Sequence, residues 1–323
     1  MKKVAVLTSG GDAPGMNACV RAVVRTGLYH GLEMVGVRRG YDGLMDGDFL
    51  PMDSHSVSNI IQRGGTILKT ARSERFKTKE GMEQAQNRLA DDGIEGLILI
   101  GGDGTFKGGL EFSNITNIPC MGAPGTIDND LFGTDYTIGF DTALNTVIEA
   151  VDKIRDTAAS HNRLFFVEVM GRDAGFIALN SGLGCGAEDI LIPESKTDID
   201  EVIQRLEDGW KRHKSSCIII VAEGDKEGGA FEIAEKVKKK FHHYDTRVTV
   251  IGHMQRGGSP TCFDRLLASR LGHAAMEGLL QGRKNEMAGL VNNHIVYTPF
   301  TQTRKHTVDI NEGLLKIAHI LSA

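Results

Sequence analysis

Short apolar runs alternate with helically spaced apolar residues along the whole chain. The runs that predict buried strands cover residues 4–7, 34–37, 96–100, 118–121, 165–169, 218–221 and 248–251. Between them, apolar residues recur on one helix face, as at Leu144, Val147, Ile148 and Val151. Strands that alternate with helices favour a mainly parallel, doubly wound α/β fold.

Six of these strands run into polar loops that contain glycine, at residues 9–15, 101–105, 122–130, 170–175, 223–224 and 253–258. Open α/β sheets bind ligands outside the carboxyl ends of their strands. The six loops therefore predict a ligand site. The strand at 34–37 is expected to run into a loop over 40–47, and residues 56–62 are expected to form a short helix.

Length and charge narrow the class of protein. A chain of 323 residues with 41% apolar residues predicts two globular domains. The net charge of −5 provides no large basic surface, so neither nucleic acid nor a membrane is expected as a partner. The five cysteines are scattered without a C-x-x-C pair, and no apolar stretch is long enough for a signal peptide or a membrane span. Buried free thiols and a cytoplasmic location are expected.

The loop at 122–130 places Asp128 and Asp130 two residues apart, just after a strand. Such a pair provides one general base and one partner for a metal ion or a hydroxyl group. An Asp-rich turn without chemistry is the alternative.

The GGDGT loop at 101–105 joins a strand to a predicted helix. Glycine amides and a helix N-terminus favour phosphate, and Asp103 is an oxygen ligand suited to Mg²⁺ held with nucleotide phosphates. Thr105 has the alternative role of capping the helix. In the loop at 10–15, Gly11 is expected closest to a nucleotide, although a tight turn into a helix explains that loop equally well.

Arginines follow two further strand ends. Arg172 and Arg256 are suited to bind phosphate or to neutralise charge during phosphoryl transfer, although a lone surface arginine is usually solvated. Glu223 is placed to accept hydrogen bonds from sugar hydroxyls, and His253 to donate to the same ligand or to be structural. A second anion site or an ordinary charged helix face is indicated by Arg21, Arg25, Arg155, Arg212 and Lys214.

Taken in order and spacing, five motifs closely resemble the signatures of bacterial ATP-dependent 6-phosphofructokinases. They are GGDAPGMN at 10–17, GGDGT at 101–105, PGTIDND at 124–130, MGR at 170–172 and GHMQRGG at 252–258. The resemblance covers about residues 2–270. It implies transfer of the γ-phosphoryl group of ATP to the 1-hydroxyl of fructose 6-phosphate in glycolysis, with Mg²⁺ as cofactor.

The same resemblance implies a role for each matching position. Asp128 is the base, with Thr126, Arg172 and Arg72 also catalytic, and Asp103 holds Mg²⁺. The implied ATP site comprises Gly11, Arg72, Ser73, Gly102, Asp103, Gly104 and Thr105. The implied fructose 6-phosphate site comprises Thr126, Asp128, Asp130, Arg163, Met170, Gly171, Arg172, Glu223, Arg247, His253 and Arg256.

Quaternary structure and regulation follow from the resemblance as well. In the family, the arginines matching Arg163 and Arg247 reach in from a neighbouring subunit, which implies a homotetramer. ADP and phosphoenolpyruvate are the implied effectors. Their site is matched by Arg21, Arg25, Arg155, Gly186, Glu188, Arg212, Lys214 and Ser216.

The chain departs from the family pattern in two places. Residues 72–76 lack the usual proline, and Asn59 and Ser216 stand where Asp and His are often found. Pyrophosphate-dependent relatives typically carry Asp and Lys where this chain has Gly104 and Gly125, so both positions favour ATP. The alternatives are a pyrophosphate-dependent enzyme, a dinucleotide-binding oxidoreductase and a non-catalytic nucleotide sensor. The oxidoreductase is disfavoured because the first strand-to-helix turn lacks a G-x-G-x-x-G loop.

These inferences predict two doubly wound, Rossmann-like lobes with the active site in the cleft between them. The ATP-binding lobe is expected to cover residues 1–139 and about 255–305. The sugar-phosphate-binding lobe is expected to cover residues 140–254 and about 306–323.

Overall fold

The computed structural model describes residues 1–158, 160, 162–214, 216–303 and 312–322, and these fold into two compact units. Unit 1 comprises Met1–Ile127, Leu131–Thr142 and the described part of Arg256–Lys305. Unit 2 comprises Asp128–Asp130, the described part of Ala143–Gln255 and that of His306–Ala323. The predicted break near 305 falls outside the described residues.

The strands of the described chain are β1 (Lys3–Thr8), β2 (Glu33–Val37), β3 (Phe49–Met52), β4 (Gly96–Gly101), β5 (Cys120–Pro124), β6 (Arg163–Val169), β7 (Asp189–Leu191), β8 (Cys217–Ala222), β9 (Asp245–Val250), β10 (Glu286–Val291) and β11 (His294–Pro299). The α-helices are α1 (Met16–Tyr29), α2 (Gly40–Asp46), α3 (Lys79–Asp91), α4 (Asp103–Thr116), α5 (Phe140–Ala158), α6 (Phe176–Gly184), α7 (Ile199–Lys211), α8 (Ala230–Lys238), α9 (Cys262–Leu280) and α10 (Glu312–Ser322). Two short 3₁₀ helices cover Arg75–Lys77 and Gly252–Arg256.

Unit 1 is built on a sheet of order β11-β10-β5-β4-β1-β2-β3. Its strands are parallel except β3 and β11, which pair antiparallel at the two edges. All six residues of β4 are buried, as the continuous apolar run predicts for a strand covered on both faces. The parallel register pairs Thr8 with Ile100 and Gly101 with Pro124, so β1, β4 and β5 end together at one edge.

Unit 2 contains a sheet of order β7-β8-β6-β9 in which all the pairings are parallel. The central strand β8 is fully buried, whereas β9 forms an edge with an exposed-intermediate pattern. Val169 pairs with Ala222 and Glu168 with Val250, so the loops after β6, β8 and β9 meet. The predicted doubly wound α/β architecture is confirmed in each unit.

Two local predictions were wrong. Residues 40–46 form α2 instead of a loop, because Tyr41, Leu44 and Met45 have helical spacing and bury one face. Residues 56–62 form turns and no helix. Asp53 accepts hydrogen bonds from the His55 and Ser56 amides, and Asn59 takes a left-handed conformation at φ 54°, so consecutive turns replace a helical ladder.

The cysteines only partly follow the prediction of burial. Cys19, Cys120 and Cys217 are buried, Cys185 is half-buried and Cys262 is exposed at the start of α9. Among the described helices, none combines the length and apolar character that crossing a lipid bilayer demands.

Candidate active site

The glycine loop of unit 1 connects β4 to α4. Gly102 lies just before the helix, which begins at Asp103, so this carboxylate sits in the first turn. Thr105 does not cap the helix. Its buried hydroxyl donates to the Ser9 carbonyl at 3.2 Å and so joins this loop to the one after β1. A Cβ added to Gly104 would have no atom within 4 Å, which leaves open space above the helix N-terminus.

Thr126 lies beside this loop. A Cβ added to Gly102 would come within 3.9 Å of the Thr126 Cβ. The preceding Gly125 is confined instead, because its added Cβ would lie 3.0 Å from Ile100 and 3.1 Å from Met16. A lysine at 125 would therefore require the core to shift, whereas a side chain at 104 would not.

Arg256 is placed in unit 1, beside Gly11. Its Nη1 donates to the Asp12 carbonyl at 3.1 Å and would lie 2.7 Å from a Cβ added to Gly11. The structure thus brings Arg256 to a residue predicted for ATP, whereas most residues predicted for the sugar phosphate lie in unit 2.

An ion pair between Asp128 and Arg172 lies in unit 2. The Arg172 Nε is 3.5 Å from the Asp128 Oδ2, and the Asp128 side chain is 4% exposed. Arg172 takes a left-handed conformation at φ 53°, which is uncommon for a residue with a side chain. Asp130 is also buried, two residues from Asp128.

Glu223 and Gln255 hold the turn that carries Arg172. Glu223 Oε1 accepts hydrogen bonds from the Arg172 amide at 2.8 Å and the Gly171 amide at 3.3 Å. Gln255 Oε1 accepts from the Met170 amide at 2.8 Å, and Gln255 is fully buried. The sequence analysis assigned no role to Gln255, although its position between His253 and Arg256 in one motif was a usable signal.

A Cβ at position 224 would meet the same turn. It would lie 1.9 Å from the Arg172 carbonyl oxygen, so only glycine fits against this backbone. The left-handed backbone of Arg172 is therefore fixed at its amide by the Glu223 carboxylate and at its carbonyl by close contact with Gly224.

Arg163 and Arg247 share one carboxylate at the β6–β9 pairing. Asp245 Oδ2 lies 3.6 Å from the Arg163 Nε and 2.7 Å from the Arg247 Nη2. Both arginines lie on neighbouring strands of the same sheet, and Arg247 is more exposed than Arg163. His253 is exposed in the 3₁₀ helix that follows β9.

Six of the eight residues of the predicted effector site lie in unit 2, and three of them line a cavity of about 230 Å³ there. Its lining includes Glu188, Arg212 and Lys214, with Val202 and Leu206 as apolar lining. Arg155 donates to the Gly186 carbonyl at 3.2 Å, and Ser216 is half-buried just before β8. Arg21 and Arg25 lie on α1 of unit 1, where burial and then the neighbouring Arg25 charge lower the pKa of Arg21.

Comparisons with known proteins agree with the geometry. The family model "Phosphofructokinase" matches residues 3–279. An ATP-dependent 6-phosphofructokinase of Cytophaga hutchinsonii is 57% identical over 322 residues, which cover 100% of this chain and 98% of the relative. One of Thermus thermophilus is 53% identical over all of both chains.

Solved structures give the same fold. Phosphofructokinase from Saccharomyces cerevisiae superposes with a TM-score of 0.90 at 35% identity, with all of this chain matched to 48% of that one. The chain thus spans about half the length of that yeast relative. With a family match across most of its length and full-length relatives above 50% identity, the chain belongs to the phosphofructokinase family.

Proposed function

We propose that this protein transfers the γ-phosphoryl group of Mg-ATP to the 1-hydroxyl of fructose 6-phosphate, giving fructose 1,6-bisphosphate and ADP. The curated relatives that match its full length carry the name of this activity. The observation that carries the proposal is the buried Asp128 carboxylate 3.5 Å from the Arg172 guanidinium. The reaction belongs to glycolysis, and we place it in the cytoplasm.

Asp128 acts as the general base. As the C1 oxygen of the sugar attacks the γ-phosphorus, its proton passes to the Asp128 carboxylate and the bond to the β-phosphate oxygen breaks, which releases ADP. Phosphoryl transfer depends chiefly on positioning and on cations near the developing charge. Arg172 supplies such a cation, and Arg72 and Thr126 complete the set around the transferred group.

The loops of unit 1 hold the nucleotide. Backbone amides at Gly11 and residues 102–105 bind the phosphates, and Arg72 and Ser73 are assigned to the same nucleotide. Asp103 holds Mg²⁺, which when bound neutralises charge on the phosphates. The donor set fits this ion, because Mg²⁺ is usually bound by one or two carboxylates together with substrate phosphates and water. The described residues contain no cluster of three His, Cys, Asp or Glu that would form an all-protein cage.

Unit 2 holds fructose 6-phosphate. We assign Glu223, Met170, Gly171, His253 and Asp130 to the sugar, and the resemblance assigns Arg256 to the same substrate. Arg163 and Arg247 bind the 6-phosphate of the sugar that is held by a neighbouring subunit, and the active enzyme is a homotetramer. Two guanidinium groups on neighbouring strands are suited to a phosphate dianion. ADP and phosphoenolpyruvate bind at the cavity beside Arg212 and Lys214, with Arg21, Arg25, Arg155, Gly186, Glu188 and Ser216 completing that effector site.

The first experiment offers Mg-ATP and pyrophosphate as separate donors with fructose 6-phosphate. We expect turnover with Mg-ATP alone, because glycine at 104 leaves open space above the N-terminus of α4, where an aspartate would crowd the nucleotide. Turnover with pyrophosphate would overturn the donor assignment. Absence of turnover with both would favour the nucleotide sensor.

The Asp128→Ser variant tests the base. A positioned general base contributes about 10²–10⁴-fold, so kcat should fall by that factor while fructose 6-phosphate still binds. The control is Asp156→Ser, which changes an exposed aspartate of α5. Steady-state kinetics and calorimetric binding of fructose 6-phosphate separate the two effects. A near-normal kcat in Asp128→Ser would remove Asp128 from this role.

A further inference from the structure

Helix α2 is hydrogen-bonded to the segment that carries Arg72 and Ser73. The Ser73 hydroxyl donates to Asp42 Oδ1 at 2.5 Å and accepts from the Phe76 amide at 3.1 Å. The first of these bonds has the short length typical of a hydroxyl bound to a carboxylate. Because the hydroxyl has a single proton, its donation to Asp42 turns its lone pairs towards the Phe76 amide. Asp42 thereby fixes both the Ser73 side chain and the turn that follows it.

A second contact runs from the same helix to the glycine loop. The Tyr41 ring stacks on Phe76 with centroids 4.0 Å apart and planes 10° from parallel, and the two residues are 5% and 2% exposed. The Tyr41 hydroxyl donates to the Thr105 carbonyl at 2.5 Å. Burial raises the pKa of Tyr41 well above its usual value, so this hydroxyl remains a donor. Helix α2 thus contacts both parts of the proposed nucleotide site.

A third contact is weaker. Arg75 reaches Asp46 at 3.1 Å, but the Arg75 side chain is 56% exposed, and ion pairs of this kind contribute little. The position of the Arg72–Phe76 segment relative to α2 therefore depends mainly on Asp42 and on the Tyr41–Phe76 stack. Of these two, the Asp42–Ser73 bond lies next to Arg72 in the chain.

We infer that Asp42 is a positioning residue for the nucleotide site. Its carboxylate holds the Ser73 hydroxyl and so orders the turn that presents Arg72 to the ATP phosphates. The inference rests on the proposed function, which assigns Arg72 and Ser73 to ATP. It concerns a residue outside all five motifs.

The test compares Asp42→Leu, Asp42→Asn, Ser73→Ala and the double variant Asp42→Leu/Ser73→Ala. The KM values for ATP and fructose 6-phosphate are measured separately, and calorimetry gives the Kd of Mg-AMP-PNP, a non-hydrolysable ATP analogue. We expect Asp42→Leu to weaken both ATP parameters about tenfold, since it removes a hydrogen bond to a charged acceptor. The KM for fructose 6-phosphate should stay within about twofold under the same reasoning.

The conservative variant provides the rescue. The amide oxygen of Asp42→Asn still accepts the Ser73 hydroxyl, so this variant should behave like wild type. Ser73→Ala should lose as much as Asp42→Leu, and the double variant should lose no more, because both changes break the same bond. The control is Glu83→Leu, which removes an exposed carboxylate from α3.

Each failure has a distinct outcome. If wild type turns over but Asp42→Leu keeps its KM for ATP, the inference is wrong. If Asp42→Leu raises both KM values equally, or the two single losses add up in the double variant, Asp42 has only a general structural role. If Asp42→Leu does not fold, the smaller Asp42→Ala takes its place in the same comparison. If wild type shows no turnover, the proposed function fails, and Mg-AMP-PNP binding to the variants still tests the positioning by Asp42.

Discussion

Replacing Gly104 by aspartate should separate folding from ATP binding. Gly104 lies in the first turn of α4 and is exposed, and a Cβ added there would have no atom within 4 Å apart from the backbone of its own helix. A glycine within a helix costs about 1 kcal/mol relative to alanine, and a carboxylate in the first turn gains about 0.3–1 kcal/mol from the helix dipole. The free energy of unfolding should therefore stay equal or rise by up to about 1 kcal/mol.

The effect on ATP has the opposite sign. The added carboxylate follows Asp103 and faces the proposed phosphate site. Two unit charges about 6 Å apart repel by about 3 kcal/mol at an effective dielectric constant of about 20, and salt reduces this to about 1.5–3 kcal/mol. The KM for ATP should therefore rise about ten- to a hundredfold.

The assay follows ADP formation over a range of Mg-ATP at saturating fructose 6-phosphate, with urea denaturation of the same samples. Gly104→Ala is the matched control, because it adds the Cβ without the charge. An equal loss in both variants would assign the effect to crowding instead of repulsion. Unchanged ATP kinetics in Gly104→Asp would refute the placement of residue 104 near the phosphates.

Three further predictions concern single side chains. Burial raises the pKa of Asp264 despite hydrogen bonds from Thr142 and Gly139. Its contribution to the free energy of unfolding is therefore full below the carboxyl pKa of the unfolded chain, about 4, and is lost as the pH rises through the pKa of the folded protein. The difference in unfolding free energy between wild type and Asp264→Asn, measured with urea, should therefore be larger near pH 4 than near pH 8, on the order of the 1–3 kcal/mol of a broken buried hydrogen bond. A difference that grows with pH would contradict this. Trp210, the single tryptophan, stacks on His243 with ring centroids 4.9 Å apart, and its neighbour Gly209 lines the cavity. ADP should therefore change the Trp210 fluorescence saturably in wild type but not in Lys214→Glu. An equal response in both proteins would place ADP elsewhere. Exposed Cys262 should be the thiol that reacts fastest with iodoacetamide, since burial raises the pKa of the half-buried Cys185 to about 11. An unchanged fast phase in Cys262→Ser would refute this assignment.

The sequence predicted seven of the nine parallel strands of the described chain, because a continuous apolar run such as that of β4 has few other interpretations. It did not predict β3, β7, β10 and β11. Strand β7 has only three residues, and the mixed residues of β3 and β11 depend on partners that pair with them in space. Helix α2 was missed because its glycine-containing stretch resembles a loop, although Tyr41, Leu44 and Met45 bury one face.

For the candidate site, local motifs located the strand-end residues but not the residues that hold them. Asp128 and Arg172 stand at the ends of recognisable strands, and the structure places them in contact. Asp245, which pairs with both Arg163 and Arg247, and Asp42, which binds Ser73, carry no sequence signal of their own. Their roles arise only from strand register and helix packing, which a linear pattern does not encode.

The turn at Arg172 also limits how this chain can change over time. The added Cβ at position 224 lies 1.9 Å from the Arg172 carbonyl, and the Arg172 amide is held by Glu223. Only glycine therefore fits at position 224, even though glycine contributes no side chain to the chemistry. The placement of Arg172 thus also constrains position 224, which provides no side chain, so more positions are constrained by this site than provide functional groups to it.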